Sequence, residues 1–160
     1  MLFNKDGEFY FPLIRRPDFG GVHGGQIGLP GGKEEPEDHD RIATALRETC
    51  EEIGVDTRQV KVLGILSELY VQASNYNVIP VIGYFRGIPR YEPDPMEVSD
   101  VIECGLEELM DDDIMKKKEM IIRKNLKILA PYFEIDGQIV WGATAMMLSE
   151  FKTILKEVKI

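Results

Sequence analysis

Residues 31–55 read Gly-Gly-Lys-Glu-Glu-Pro-Glu-Asp-His-Asp-Arg-Ile-Ala-Thr-Ala-Leu-Arg-Glu-Thr-Cys-Glu-Glu-Ile-Gly-Val. A glycine turn leads through an acidic connector into a helix carrying Arg47, Glu48, Glu51 and Glu52. At about 100° per residue, Glu48 and Glu52 lie one turn apart on one side, with Glu51 and Arg47 beside them. Ile42, Leu46, Thr49, Cys50 and Ile53 fall on the opposite arc. One face is therefore expected to pack and the other to be acidic and charged. Asp40 is placed to cap the N-terminus, its carboxylate accepting orphan backbone N–H groups. Gly54 is placed to end the helix, where a left-handed residue costs least. Three carboxylates beside a glycine turn make an oxygen-rich cage for a hard divalent cation. Such a cation neutralises phosphate oxygens and activates water. The plainer alternative is a solvated acidic face, in which each like-charged pair costs roughly a few tenths of a kcal/mol.

The segment resembles the signature box of the Nudix hydrolases, enzymes that cleave a nucleoside diphosphate linked to another group. Their box runs Gly-x5-Glu-x7-Arg-Glu-U-x-Glu-Glu-x-Gly-U, U being aliphatic. Gly32, Arg47, Glu48, Glu51, Glu52, Gly54 and Val55 match it. Asp38 stands in place of the first Glu, one residue further from Arg47, and Thr49 replaces an aliphatic residue. The Asp and the longer gap resemble the coenzyme A diphosphatase branch. So do Arg16 with Gly21-Val22-His23-Gly24-Gly25-Gln26-Ile27-Gly28-Leu29-Pro30 before the box. Leu69-Tyr70-Val71, Ser74-Asn75-Tyr76 and Ile139-Val140-Trp141-Gly142-Ala143-Thr144-Ala145 are similar as well, so the likeness spans about residues 8–150.

The resemblance implies an α/β fold, a Nudix α/β/α sandwich with a mixed sheet between helices. It implies that Glu48 and Glu52 bind Mg²⁺ or Mn²⁺, that Glu51 shares a second ion, and that the Gly31 carbonyl completes the cage. Oxygen-only ligands favour those metals over Zn²⁺. Arg47 would orient the carboxylates by pairing with Asp38 or Glu48. The proton of the attacking water would pass to Glu51 or Glu97. Coenzyme A or its thioesters would give 4′-phosphopantetheine and adenosine 3′,5′-bisphosphate. The rival readings are another Nudix substrate, such as ADP-ribose or a dinucleotide, and a Nudix-fold binding or regulatory module without turnover.

With 160 residues, 44% hydrophobic and 29% charged, the chain is expected to form one domain over residues 1–160. Relatives of this branch have a longer N-terminal part, so an N-terminal portion is expected to be short or missing here. No apolar run approaches the ~18 residues of a membrane span, and the start lacks the features of a secretory signal. A cytoplasmic enzyme is expected. The formal charge of −9 argues against a nucleic-acid partner, which usually calls for a basic patch. A small nucleotide remains compatible, because a bound cation reverses the local sign. The resemblance also allows a homodimer. Cys50 and Cys104 make no disulfide framework, and Cys50, on the apolar arc, is expected to be buried and inert. Asp111, Asp112 and Asp113 read as a solvated loop.

Along the chain, Glu8 to Arg15 reads as a strand, with Pro12 marking an edge or bulge. Val60 to Tyr70 and Tyr76 to Phe85 read as strands turned at Asn75, and Glu97 to Cys104 as another. Leu106 to Met110 reads as a short helix. Met120 to Ile135 and Gln138 to Trp141 read as a hairpin turned at Asp136-Gly137. From Gly142 a 3.6-residue apolar stripe predicts a helix. Arg15 and Arg16 end the first strand, where one can grip a terminal phosphate by bidentate contacts while the other snorkels or pairs. His23 lies among glycines, either reaching substrate or simply exposed. Gln26, Lys33, Ser74 and Asn75 complete the expected substrate contacts. Glu97 is either a metal or proton partner or an exposed strand-entry acid. Trp141 and Tyr70 are expected in the core.

Overall fold

Glu8–Arg15 forms a strand with the predicted bounds. The computed structural model describes residues 1–19, 24–72, 74–122 and 126–158. In chain order the elements are β1 (Phe3–Lys5), β2 (Glu8–Arg15), β3 (Ile27–Gly28), α1 (Arg41–Ile53), β4 (Val60–Ile65), β5 (Leu69–Val71), β6 (Tyr76–Val78), β7 (Val81–Phe85), β8 (Asp100–Gly105), α2 (Leu106–Met110), β9 (Met115–Ile122), β10 (Leu126–Ile135), β11 (Gln138–Trp141) and α3 (Gly142–Val158).

β2 is the organising strand. Its residues Phe11, Pro12, Leu13 and Ile14 are all buried, the pattern of a strand covered on both faces. Phe11 and Leu13 enter one core with Ile102, Leu109, Phe133, Val140, Leu148 and Leu155, residues of β8, α2, β10, β11 and α3. Ile14 enters a second core with Phe3, Ile53, Val55, Phe85 and Val98, at the end of α1. Helices thus cover both sides of the sheet, as the α/β/α expectation requires.

Pairing explains how Pro12 is accommodated. β8 runs antiparallel along one edge of β2, from Tyr10↔Gly105 to Arg15↔Asp100. On the other edge β1 pairs with Glu8–Tyr10 and β3 with Ile14–Arg15. Pro12, which has no N–H, falls in the gap between β1 and β3. It is a buried residue of a central strand, not the edge or bulge expected. β7 joins the same layer through Leu2, which bridges Tyr84 in parallel and exchanges backbone hydrogen bonds with Gly83 and Phe85 at 2.6 and 2.7 Å. β4 pairs antiparallel with β7. Antiparallel ladders with one parallel bridge make the pairing mixed.

Three expected strands are divided. Val60 to Tyr70 breaks into β4 and β5, with Leu66 donating its N–H to Pro80 O at 2.9 Å. Tyr76 to Phe85 breaks into β6 and β7 at Ile79-Pro80, because proline cannot donate to a ladder. Met120 to Ile135 is two antiparallel strands, β9 and β10, registered from Ile122↔Leu126 to Met115↔Phe133. β9 starts upstream of the apolar run, at the Met-Lys-Lys-Lys-Glu stretch that hid it. The expected strand at Glu97 begins only at Asp100. The Asp136-Gly137 turn is as expected, with φ of +48° and +68° suiting a two-residue hairpin loop.

α1 keeps its caps. Ala43 N–H reaches Asp40 Oδ1 at 2.8 Å, and Gly54, at φ +71°, donates to Cys50 O at 2.9 Å. Its buried residues are Thr44, Glu52 and Ile53. The packed arc is therefore rotated from the expected one: Leu46 is half-buried, Cys50 is exposed and only Cys104 is buried. Asp111, Asp112 and Asp113 are exposed loop residues, as expected, and Asp112 also pairs with Lys152 and Lys156, both at 2.9 Å. Among the described residues no helix is long and apolar enough to cross a membrane.

Candidate active site

Rotation of α1 turns Glu48 and Glu52 inward, toward the Gly31–Gly32 loop. Glu52 is 1% exposed, in place of the solvent-facing position expected. Gly31, at φ +148°, aims its N–H at Glu52 Oε2 (2.7 Å). A side chain at Gly32 would push the Glu48 carboxylate aside, so glycine here leaves that carboxylate its place beside the loop. Arg16 approaches from the end of β2, with Nη2 3.5 Å from Gly31 O and 3.8 Å from Glu52 Oε1.

Glu97 arrives on the loop between β7 and β8, and backbone hydrogen bonds set its position. Glu92 N–H donates to Ile53 O, Asp94 N–H to Glu52 O, and Ser99 N–H to Arg15 O, at 2.9–3.0 Å. Gly54 is needed twice: its left-handed φ ends the helix, and a side chain there would strike the Glu92 backbone. The loop is thereby stitched to the end of α1 and the end of β2. Carboxylate oxygens of Glu48, Glu52 and Glu97 come within 4.8 Å of one another. They line a cleft of about 520 Å³ together with Arg16, Gly31 and Gly32.

A second set of charges braces this cluster from outside. Arg47 donates to Asp38 through Nε and Nη2 (both 3.1 Å), to Glu48 Oε1 (3.1 Å), to Glu51 Oε2 (2.7 Å) and to Lys33 O (2.7 Å). Asp38 also accepts from Thr44 Oγ1 at 2.9 Å and Glu35 N–H at 3.0 Å. The Arg47 guanidinium and these donors hold the Asp38 carboxyl well below the usual range. Burial pushes Glu52 the other way, up to about 7, with Glu48 and Glu97 adding to the rise and Gly31 N–H and Arg16 opposing it.

Three carboxylates so close, one of them buried, are only partly compensated by Arg47 at Glu48 (3.1 Å) and Arg16 at Glu52 (3.8 Å). The donor set fits a hard divalent cation, which takes oxygen ligands and would offset the charge. Glu48, Glu52 and Glu97 are the described residues placed to hold it, with the Gly31 carbonyl at the rim of the same cleft.

The other expected site residues divide. Glu51 is exposed and spends its carboxylate on Arg47, apart from the three clustered acids. Arg15 is the last residue of β2, in register with Asp100 and Ile27, whereas Arg16 reaches the cleft. Lys33 gives its carbonyl to Arg47 and sets Nζ 5.3 Å from the Tyr76 ring centre. Ser74 and Asn75 form the β5–β6 turn, where Tyr70 Oη donates to Asn75 Oδ1 at 2.8 Å. Tyr70 is exposed, contrary to its expected place in the core. Gln26 and Trp141 line a different cleft. His23 lies outside the described residues. Sequence reasoning missed Phe19 and Met96, which line the first cleft while 74% and 70% exposed. Nothing in their local sequence separates them from ordinary loop residues.

The family model for the NUDIX domain matches residues 1–124. A Yersinia pestis (strain Pestoides F) protein named as an uncharacterized Nudix hydrolase, NudL, is 35% identical over 140 residues, 85% of this chain and 67% of that protein. A NudL of Yersinia pseudotuberculosis serotype I matches at the same identity and coverage. Among solved structures, a C. elegans Ap4A hydrolase binary complex superposes with a TM-score of 0.56 at 20% identity, over 66% of this chain and 76% of its own. The NUDIX domain of Shewanella oneidensis NrtR complexed with ADP ribose gives 0.50 at 20% identity, over 68% and 70%. The chain belongs to the Nudix family, hydrolases acting on nucleoside diphosphate derivatives.

Proposed function

We propose that this Nudix hydrolase is a cytoplasmic, Mg²⁺- or Mn²⁺-dependent diphosphatase of coenzyme A or its thioesters. The observation that carries the reading is the Glu48, Glu52 and Glu97 cluster beneath Gly31–Gly32, with Arg16 at its edge. A bound cation would neutralise diphosphate oxygens and make water easier to deprotonate. Arg47 keeps Glu48 pointed into the cleft while Asp38 anchors Arg47. Gly31 N–H fixes one oxygen of Glu52. Water forms a bond to one phosphorus, the bond from that phosphorus to the bridging oxygen breaks, and the water proton passes to Glu97. Glu51 is the competing acceptor.

Arg16 supports the choice of coenzyme A. It is a guanidinium in the cleft of an acidic chain, suited to the 3′-phosphate that ADP-ribose lacks. The Asp38 spacing and the Gly-Gly-Gln approach to the box favour the same branch. Retention of all three box glutamates weighs against a module without turnover.

The test is product analysis after coenzyme A is incubated with the purified protein and Mg²⁺ or Mn²⁺. The expected products are 4′-phosphopantetheine and adenosine 3′,5′-bisphosphate. A charge-assisted contact contributes about 1.5–3 kcal/mol, so dephospho-coenzyme A should be poorer by roughly tenfold or more. Arg16→Ala should shrink that gap. Faster cleavage of ADP-ribose than of coenzyme A would replace this reading with the ADP-ribose one.

A further inference from the structure

A second cleft, of about 370 Å³, lies across Gly24 from the first, and Gly24 lines both. Its walls come from three elements: Gly25 and Gln26 before β3, Met120 and Ile121 of β9, and Gln138, Ile139 and Trp141 of β11. No charged side chain is among its described lining residues. Arg16 ties the two clefts together. Its backbone closes the loop by donating N–H to Gln26 O and accepting from Gly25 N–H, both at 3.0 Å, while its side chain reaches Gly31 and Glu52 in the first cleft.

We infer that this second cleft binds the uncharged, amide-bearing aliphatic arm of the substrate, the pantetheine half of coenzyme A. The inference rests on the coenzyme A reading above. Diphosphate at Glu48, Glu52 and Glu97 leaves two substituents to place, and they differ in charge. The nucleotide half carries a 3′-phosphate, which needs a cation, and Arg16 stands in the first cleft. The pantetheine half has methyl groups, methylenes and two amides. Met120, Ile121, Ile139 and Trp141 offer apolar contact to the former. Gln138 brings a carboxamide to the latter, its Nε2 also reaching Asp136 O at 3.4 Å, and glycines 25 and 137 carry no side chain to obstruct approach. The volume is at the low end for a small-molecule site, suited to an arm in place of a whole nucleotide.

Trp141 is the only tryptophan of the chain, so its fluorescence reports on this cleft without turnover. Pantetheine titrated into the protein with Mg²⁺ should shift Trp141 emission saturably, and adenosine 3′,5′-bisphosphate should not. Ile121 is 67% exposed, so Ile121→Asp should fold normally. It should weaken pantetheine binding about tenfold, by placing a charge against an apolar ligand, and raise KM for coenzyme A with kcat kept. A Trp141 response to the bisphosphate and not to pantetheine overturns the inference, because the cleft then takes the nucleotide half. A response to neither ligand, or one indifferent to Ile121→Asp, overturns it too. Coenzyme A cleavage with a silent Trp141 sinks this inference alone. Pantetheine binding without cleavage of coenzyme A sustains the chemistry of the cleft and sinks the substrate reading.

Discussion

Two groups of carboxylates meet at α1, and their surroundings are opposite. Asp38 and Glu51 meet Arg47 at hydrogen-bond distance, on the outside of the helix, so their charge is met by protein. Glu48, Glu52 and Glu97 face one another in a cleft, with Glu52 almost wholly buried. Glu48 belongs partly to both groups, since Arg47 also reaches it. The contrast is between a structural brace and a site with more negative charge than Arg16 and Arg47 offset. An ion pair already satisfied by an arginine has little need of a cation. Burial, with a smaller push from Glu48 and Glu97, raises the Glu52 pKa to about 7, so its charge is unfavourable until a cation or a proton arrives.

The largest expected effect tests the inner group. Glu52→Gln should lower turnover by more than about 100-fold, since even indirect metal partners cost roughly 10–100-fold. The metal-free variant should melt no lower than wild type, because a buried charge has been removed. Activity near wild type in the folded variant would take Glu52 out of the reaction. The next effect belongs to the brace. Asp38→Asn should lower the denaturant midpoint, because Arg47 loses the charged acceptor it meets through two nitrogens. An unchanged midpoint would mean that the neighbouring carboxylates replace Asp38 on Arg47.

How much of this was legible depends on the kind of signal. β2, both caps of α1 and the Asp136-Gly137 turn were readable because periodicity, capping chemistry and φ > 0 are local properties. The inward turn of Glu52 was not, since a glutamate counts as solvent-facing in any amphipathic reading and burial came from packing against a distant loop. Cys50 was misplaced by the same rotation. β9 was hidden by Lys116–Lys118, whose charges suggest a loop although the strand leaves them exposed. In the site, the resemblance implied that Arg47 pairs with Asp38 or Glu48, and Arg47 reaches both. The choice of Arg16 over Arg15 was not legible: both backbones are paired, and only the fold decides which of two adjacent side chains lines the cleft. Glu97 was a candidate, but its position depends on backbone hydrogen bonds from Glu92, Asp94 and Ser99 that no motif announces.

The pH dependence of stability sharpens the contrast, because Asp38 and Glu52 shift in opposite directions. The folded pKa of Glu52, about 7, lies above its ordinary 4.5. Its contribution is fully present below 4.5 and is lost as pH rises through 7, so metal-free protein should be less stable at pH 8 than at pH 5. One pKa unit is about 1.4 kcal/mol, and water reaching the open cleft reduces the effect, leaving roughly 2 kcal/mol. Asp38 runs the other way: its contribution is present above the ordinary 3.8 and is lost as pH falls further. Thermal melts of chelator-treated protein from pH 3 to 9 should therefore peak near pH 5. Mg²⁺ should raise the melting temperature mainly on the alkaline side, where Glu52 is ionised. A metal-free profile still rising from pH 5 to 8 would contradict the burial of an uncompensated Glu52.

The smallest expected effect decides where Glu51 belongs. Its side chain is 55% exposed, and its pair with Arg47 is an i,i+4 contact on the helix surface. Such pairs contribute about 0.3–0.5 kcal/mol, so Glu51→Gln should barely move the denaturant midpoint. Arg47 would still be held by Asp38, Glu48 and the Lys33 carbonyl. If Glu51 only steadies Arg47, turnover should fall by less than about tenfold, below the usual range for losing a proton acceptor. The parallel variant Glu97→Gln should then lose on the order of 100-fold or more. The reverse order, a large loss in Glu51→Gln at unchanged stability and a mild one in Glu97→Gln, would transfer the proton role to the exposed carboxylate. It would also require Arg47 to release Glu51 when substrate binds, making the outer group part of the reaction instead of its brace.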